Sequence, residues 1–440
     1  MKNVIIVGGG LAGLTSAFYL SQKKYNITLI ESSPKLGGRT YSLYNKTEND
    51  FYDNGHHLLM GCYRETLQLI NQLKTFDKIE VQENLEVNFI DENSFAYKLK
   101  SIKIFYPLNL LLAILNYKAI TFKERLRIID FMFDIAYCFK EDLENLTVLE
   151  WLLLKNQSDE TINKFWEILV VSIMNTTPER ASALIFSNVL KEIFLTGKNS
   201  SKFILTKSGL SEIFVNPIEN FLSKSQNKIF TNERLEKLMI ENSIVKKILT
   251  NKNSYEKFDY VILAIPPYSY SRIKFYDEKQ NEFYPLSQVL SKEFKYSPIL
   301  NIHIWLNENI FDKKFYGLLN SEIDWIFNNE KHISITKSNA ESLIHMDNNS
   351  IMDLIYSDLK NYFPNFSKEK VNDFKIIKEK RATFIPNIAS NKLRKEIKSE
   401  FENLILAGDW LTLEFPATIE GAIMSGKNAV QIIDNKLASN

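Results

Sequence analysis

The stretch NVIIVGGGLAGLTSAFYL, residues 3–20, constrains this chain more than any other. Its apolar start reads as a short buried strand, and its apolar end has the period of a helix. Between them Gly8, Gly10 and Gly13 stand in the spacing Gly-x-Gly-x-x-Gly. In a strand–turn–helix unit each has its own reason: Gly8 for the turn, Gly10 for close approach of a pyrophosphate, Gly13 for packing helix on strand. Leu11 and Ala12, first in the helix, would offer free amides and the positive dipole end to the phosphates. A second strand, NITLI, ends at Glu31 and Ser32, where an acid accepts hydrogen bonds from an adenosine ribose. The chain therefore opens as a dinucleotide-binding α/β unit.

Glycine is otherwise scarce. Of 14 glycines in 440 residues, eight lie in the first 61 positions and three from 408 onward, against about 7% in ordinary chains. Those that remain mark backbone that cannot carry a side chain. The length calls for two domains, or one large fold with a second lobe. A formal charge of +1 leaves no basic surface for nucleic acid. Cys62 and Cys138 are too few for a disulfide framework and lack metal-site spacing, which fits a reducing cytosol. The opening apolar run is broken by three glycines and has no small-x-small site, so it does not read as a secretory signal. The longest apolar segment, IFYPLNLLLAILNY at 104–117, is short for a membrane span and suits a buried or interfacial helix.

Behind Glu31 comes SSPKLGGRTYSL with Gly37, Gly38 and Arg39. That order resembles the FAD signature of the amine oxidase and phytoene desaturase superfamily, in which the arginine approaches the pyrophosphate; a guanidinium fork suits phosphate. FYDNGHHLLMGCY follows, and in that superfamily it passes beside the isoalloxazine with Asn54 and Gly55 against the ring. His56 and His57 are two of five histidines. Adjacent residues of an extended chain point to opposite faces, which disfavours one shared metal. A structural role and a role near the flavin both stand. The superfamily's other two FAD segments match KIFTNERLEKLMIE, where Leu235 would clamp adenine through its backbone, and NLILAGDWLTLEFPATIEGAIMSG. In the latter Gly408 and Asp409 would lie at the ribityl and pyrophosphate, and Thr418 and Ile419 would open a helix toward the flavin pyrimidine edge.

DNGHHLLMGCY, Trp151 in VLEWL, Trp166 and Glu167 in FWEILV, NTTPERASA at 175–183, AGDW and PATIEGAIMSG together resemble the hydroxysqualene dehydroxylase family over nearly the whole chain. Two departures stand out: that family usually has glutamine where His56 stands, and a proline is missing near SNKLRKE. The resemblance implies an α/β protein. It would combine a Rossmann-like FAD-binding domain (1–95, 200–267 and 380–440) with a mixed-sheet substrate domain (96–199 and 268–379) bearing a helical, membrane-facing lobe.

It further implies FAD-dependent reductive dehydroxylation of hydroxysqualene to squalene in hopanoid-type lipid synthesis. The alternatives are a phytoene-desaturase-like or amine-oxidase-like oxidoreductase, and a non-catalytic isoprenoid binder on the same fold. Candidates for protonating the leaving hydroxyl are His56, His57, Asp53 and Glu420, unranked; Asp53 could equally cap its turn and Glu420 favour a helix start. Within NTTPERASA a helix stops at Pro178 and restarts with Glu179, and Asn175 and Arg180 are either structural or tunnel-lining. Burying a thirty-carbon isoprenoid is worth on the order of 20 kcal/mol gross, so substrate exchange at the inner membrane or with neighbouring squalene-pathway enzymes is expected. FYPLNLLLAILNYKAITFKERLR, with Lys118, Lys123, Arg125 and Arg127, would supply the interfacial helix. The chain is accordingly expected to be cytoplasmic and peripheral to the inner membrane.

Overall fold

The computed structural model describes residues 1–23 and 25–438, so the last two positions of the segment expected at 380–440 lie outside the described residues. Strand Asn3–Val7 is the centre of a five-stranded parallel sheet. Asn26–Ile30 and Lys228–Phe230 lie on one side, Tyr260–Leu263 and Leu404–Leu406 on the other. These strands are almost continuous runs of Val, Ile and Leu because both faces are covered. Helices Leu11–Gln22 and Ile419–Ala438 cross one face at glycine contacts: a Cβ on Gly426 would lie 2.4 Å from the Ala12 carbonyl oxygen. Strands Tyr260–Leu263 and Leu404–Leu406 stop short of Pro266 and Gly408, which follow them closely.

A second five-stranded sheet runs in the order 254–255, 244–250, 235–241, 274–276, 282–283. The third sheet has seven strands, Val371–Phe384, Tyr296–Leu306, His332–Lys337, Trp325–Asn328, Phe315–Leu318, Glu86–Ile90 and Ala96–Lys100. All its pairings are antiparallel except 315–318 with 86–90. The alternation of strand Tyr296–Leu306 places Leu300, Ile302 and Ile304 on one face, packed with Ile351, Ile355 and Leu359 of helix Asn348–Tyr362. Asn301, His303 and Trp305 occupy the opposite face.

Residues 108–195 form the helical lobe around Phe131, Trp151, Phe165, Trp166 and Phe186. Two details differ from expectation. Helix Glu167–Met174 ends on Asn175 in the left-handed conformation, and the next begins at Ala183, four residues past Glu179, because 177–181 close a turn through Thr177. On helix Leu108–Leu115 and after it, Leu110, Ala113, Ile114 and Tyr117 are in the lobe's core, and Arg125, expected at the headgroups, turns inward to cap this segment at the Leu115 and Ile120 carbonyls. Arg127 pairs with Glu124. Exposed apolar side chains stand at the start of this segment, Phe105 and Leu108, and on helix Phe122–Tyr137 and its flanks, notably Phe122, Phe133, Tyr137 and Phe139. Among the described residues no helix is long and apolar enough to cross a membrane.

Candidate active site

At the carboxyl end of strand Asn3–Val7 the chain turns through Gly8 at φ +107° into helix Leu11–Gln22. The three spaced glycines differ in what surrounds them. A Cβ on Gly8 would fall 2.2 Å from the Ala264 carbonyl oxygen, and one on Gly13 would fall 1.9 Å from that of Gly8. On Gly10 the nearest atom would be the Gly38 Cα at 3.9 Å, so that side is open. No side chain caps the helix start, which leaves the first-turn amides of Leu11, Ala12 and Gly13 facing the opening. Glu31 is buried beside it; its carboxylate accepts from the Gly9 amide at 2.6 Å, the Ser33 amide at 2.7 Å and the Ser32 hydroxyl at 3.1 Å. Residues 230–235 run past Glu31 through backbone bonds of 2.8 and 2.9 Å and bring buried Leu235 to the same end.

The Gly37 amide donates to the Gly9 carbonyl at 2.8 Å, laying the 37–39 turn on the glycine loop. Arg39 spends its fork within the protein, donating at 2.6 Å to Asp409 Oδ2 and at 2.6 Å to the Ala382 carbonyl; the Asp409 charge raises the guanidinium pKa further. Gly408 donates its amide to Ser425 Oγ at 2.8 Å, and Thr418 Oγ1 accepts from the Gly421 amide at 3.0 Å, capping the helix that Ile419 opens. Five separated stretches thus converge on one crevice.

Segment 50–57 lies between this crevice and the seven-stranded sheet. A Cβ on Gly55 would reach Asn301 Nδ2 at 2.7 Å, so the backbone there rests on the sheet. Asn54 donates to the Arg39 carbonyl at 3.3 Å, while its buried Oδ1 has no partner. His57 Nδ1 donates to the Gly55 carbonyl at 2.7 Å, and burial lowers its pKa. The His56 ring stacks on Phe327 with centroids 3.9 Å apart and planes at 17°. Its Nε2 is buried without a partner, and burial with the nearby His57 and His332 pulls the ring down to about 3.

The two candidate carboxylates are held by structural bonds. Asp53 Oδ1 accepts from Ser42 Oγ at 2.7 Å and the Leu210 amide at 2.9 Å, tying the 42–53 hairpin to the helical turn at 211; burial nonetheless pushes it up to about 6. Glu420 accepts from the Glu65 amide at 3.0 Å, the Thr66 amide at 2.8 Å and Thr66 Oγ1 at 2.6 Å. It thereby caps helix Arg64–Leu73, whose own N-cap Tyr63 offers no side-chain acceptor, and burial raises its pKa. Asn175 bridges lobe and sheet through the Asn339 amide at 2.7 Å and Thr383 Oγ1 at 2.8 Å, and Arg180 pairs with Glu341 at the surface.

Sequence reasoning did not single out Asp50, His303, Trp305 or His332. Asp50 Oδ2 accepts from Trp305 Nε1 at 3.0 Å and His332 Nδ1 at 2.8 Å, and these donors lower its pKa against burial. Four of the chain's five histidines, 56, 57, 303 and 332, gather around segment 50–57. Their rarity was the only signal available, because His303 and His332 stand 246 and 275 residues downstream of His57. Among the described residues no group of His, Cys, Asp and Glu could hold a metal ion.

Residues 11–434 match the family model described as flavin containing amine oxidoreductase. The chain belongs to this family. Its cofactor is FAD, and the residues present fit it: an open face at Gly10, an uncapped helix start and a buried acid after the second strand. This flavoprotein is 23% identical over 432 residues to the hydroxysqualene dehydroxylase of Zymomonas mobilis, covering 97% of this chain and 98% of that one. It is 24% identical over 455 residues to the 15-cis-phytoene desaturase of Solanum lycopersicum, covering 98% and 77%. The fold matches cyclohexylamine oxidase of Brevibacterium oxydans with a TM-score of 0.71 at 13% identity, over 99% of each chain.

Proposed function

We propose that this flavoprotein removes the hydroxyl of hydroxysqualene in a net reduction that yields squalene. The observation that carries the reading is end-to-end agreement with hydroxysqualene dehydroxylases, whose length this chain matches, whereas it spans only about three quarters of the phytoene desaturases. An apolar cluster supports it. Cys62, Val189, Ile193 and Phe415, with Met60 and Met424 against them, join the helical lobe to the stretch that precedes Pro416.

In this reading Gly8, Gly10, Leu11, Ala12 and Gly13 hold the pyrophosphate, Glu31 and Ser32 the ribose, and Leu235 the adenine. Gly38, Arg39, Asn54, Gly55, Gly408, Asp409, Thr418 and Ile419 line the remainder. Bound there and reduced by a two-electron donor such as a reduced nicotinamide, FAD supplies a hydride to carbon. The protein's share is to orient the isoprenoid, exclude water and give the departing oxygen a proton, so that it leaves as water. The exposed Phe122, Phe133, Tyr137 and Phe139, with Lys123 beside them, suit peripheral contact with the cytoplasmic face of a membrane, from which a C30 substrate is drawn. Purified protein given hydroxysqualene and a reductant should yield squalene. Conversion only of phytoene or an amine would replace this reading with an oxidative one.

A further inference from the structure

A pyrophosphate offers acceptors and no proton at neutral pH, so the protein groups that meet it are donors, and the crevice supplies them in the first-turn amides at 11–13. The ribityl chain that joins the pyrophosphate to the flavin is different. Its hydroxyls donate, and each calls for an acceptor once water is excluded.

Residues 54–57 are laid against the glycine loop by a short series of bonds. The Gly37 amide donates to the Gly9 carbonyl at 2.8 Å, and Asn54 Nδ2 donates to the Arg39 carbonyl at 3.3 Å. From 56 to 58 the chain runs without helix, turn or bend, so neighbouring side chains leave it on opposite faces. His56 takes the sheet face, its ring on Phe327 and its Nε2 buried. His57 takes the other face, toward the crevice, where the Arg39 charge is close enough to act on its ring. It is half-buried, and its Nε2 is not sealed in as that of His56 is.

The tautomer of His57 is fixed from behind. Nδ1 lies 2.7 Å from the Gly55 carbonyl oxygen. A carbonyl only accepts, so Nδ1 carries the proton and the neutral ring holds its lone pair on Nε2. Burial, and with it the Arg39 charge, disfavours the charged ring. Among the described residues nothing donates to that lone pair. His57 therefore presents an acceptor, and no proton, to the crevice beside Arg39.

We propose that His57 binds the cofactor, its Nε2 accepting a hydrogen bond from a ribityl hydroxyl of FAD. A hydroxyl next to the pyrophosphate is the cofactor's nearest donor to a group beside Arg39, and the lone pair at Nε2 is the complement it needs. His57 is then a cofactor ligand and not a proton source. This holds whichever substrate the enzyme acts on, so it stands apart from the dehydroxylase reading.

The test is equilibrium binding of FAD to the apoprotein, read from flavin fluorescence. His57→Phe keeps an aromatic ring and removes the acceptor; it should bind FAD about fivefold to tenfold more weakly, with circular dichroism and thermal midpoint close to wild type. His57→Gln, whose side-chain oxygen can stand where Nε2 does, should stay within about threefold of wild type. FAD analogues that each lack one ribityl hydroxyl identify the donor: one of them should bind wild type about fivefold to tenfold more weakly than FAD does, yet bind His57→Phe no worse than FAD does. Should His57→Phe misfold, His57→Ala carries the same comparison. FAD affinity of the variant within about twofold of wild type, or analogue losses that are equal on both proteins, overturns the proposal and leaves the assignment of the substrate untouched.

Discussion

Single residues in this chain separate the demands of folding from those of cofactor binding. Gly13 has another backbone oxygen 1.9 Å from where its Cβ would be, while Gly10 has open space. Gly13→Ala should therefore give little folded protein. Gly10→Ala should fold, with a native far-UV circular dichroism spectrum, yet purify without yellow colour because the methyl group occupies the pyrophosphate's approach. Asp53 makes a different statement. Burial raises its carboxyl from 3.8 to about 6. A folded value above the unfolded one means its favourable contribution is complete below about pH 4 and is lost as pH rises to 6, amounting to at most about 3 kcal/mol. Asp53→Asn keeps an acceptor for Ser42 and Leu210 without the charge. Urea denaturation at pH 4.5 and 7.5 should show wild type losing more stability across that interval than the variant does.

Elements were legible where local pattern and packing agree. The first strand, its glycine turn and the helix behind it follow from apolar runs and glycine spacing, since a strand buried on both faces has little compositional freedom. The apolar run at 104–117 left two readings open because a helix buried in a lobe and one lying in a membrane interface have the same composition; that Arg125 turns back to two carbonyls is visible only in three dimensions. Glu420 was equally ambiguous, being first-turn in its own helix yet the cap of another 355 residues earlier. Glu420→Ala should cost about 1–2 kcal/mol through helix Arg64–Leu73, seen as faster amide exchange in its first turn. Unchanged exchange there would show that the cap contributes nothing. The gathering of His303 and His332 around segment 50–57 was illegible for a related reason: register across strands 296–306 and 332–337 is not written in either strand alone.

Across the whole molecule, a parallel sheet contributes one wall of the crevice, a mixed sheet the opposite one, and segment 50–57 lies between them. That arrangement serves both oxidative and reductive members of a flavin family, because fold does not set the direction of electron flow. The reductive reading rests on sequence likeness, which runs end to end with dehydroxylases and over 77% of the length of a phytoene desaturase. The decisive measurement is anaerobic: enzyme reduced by one equivalent of dithionite is mixed with hydroxysqualene and the flavin band followed near 450 nm, the usual region of oxidised flavin absorption. Colour should return with one squalene formed per flavin. Flavin that stays bleached with hydroxysqualene, while oxidised enzyme is bleached by phytoene or an amine, would contradict the account.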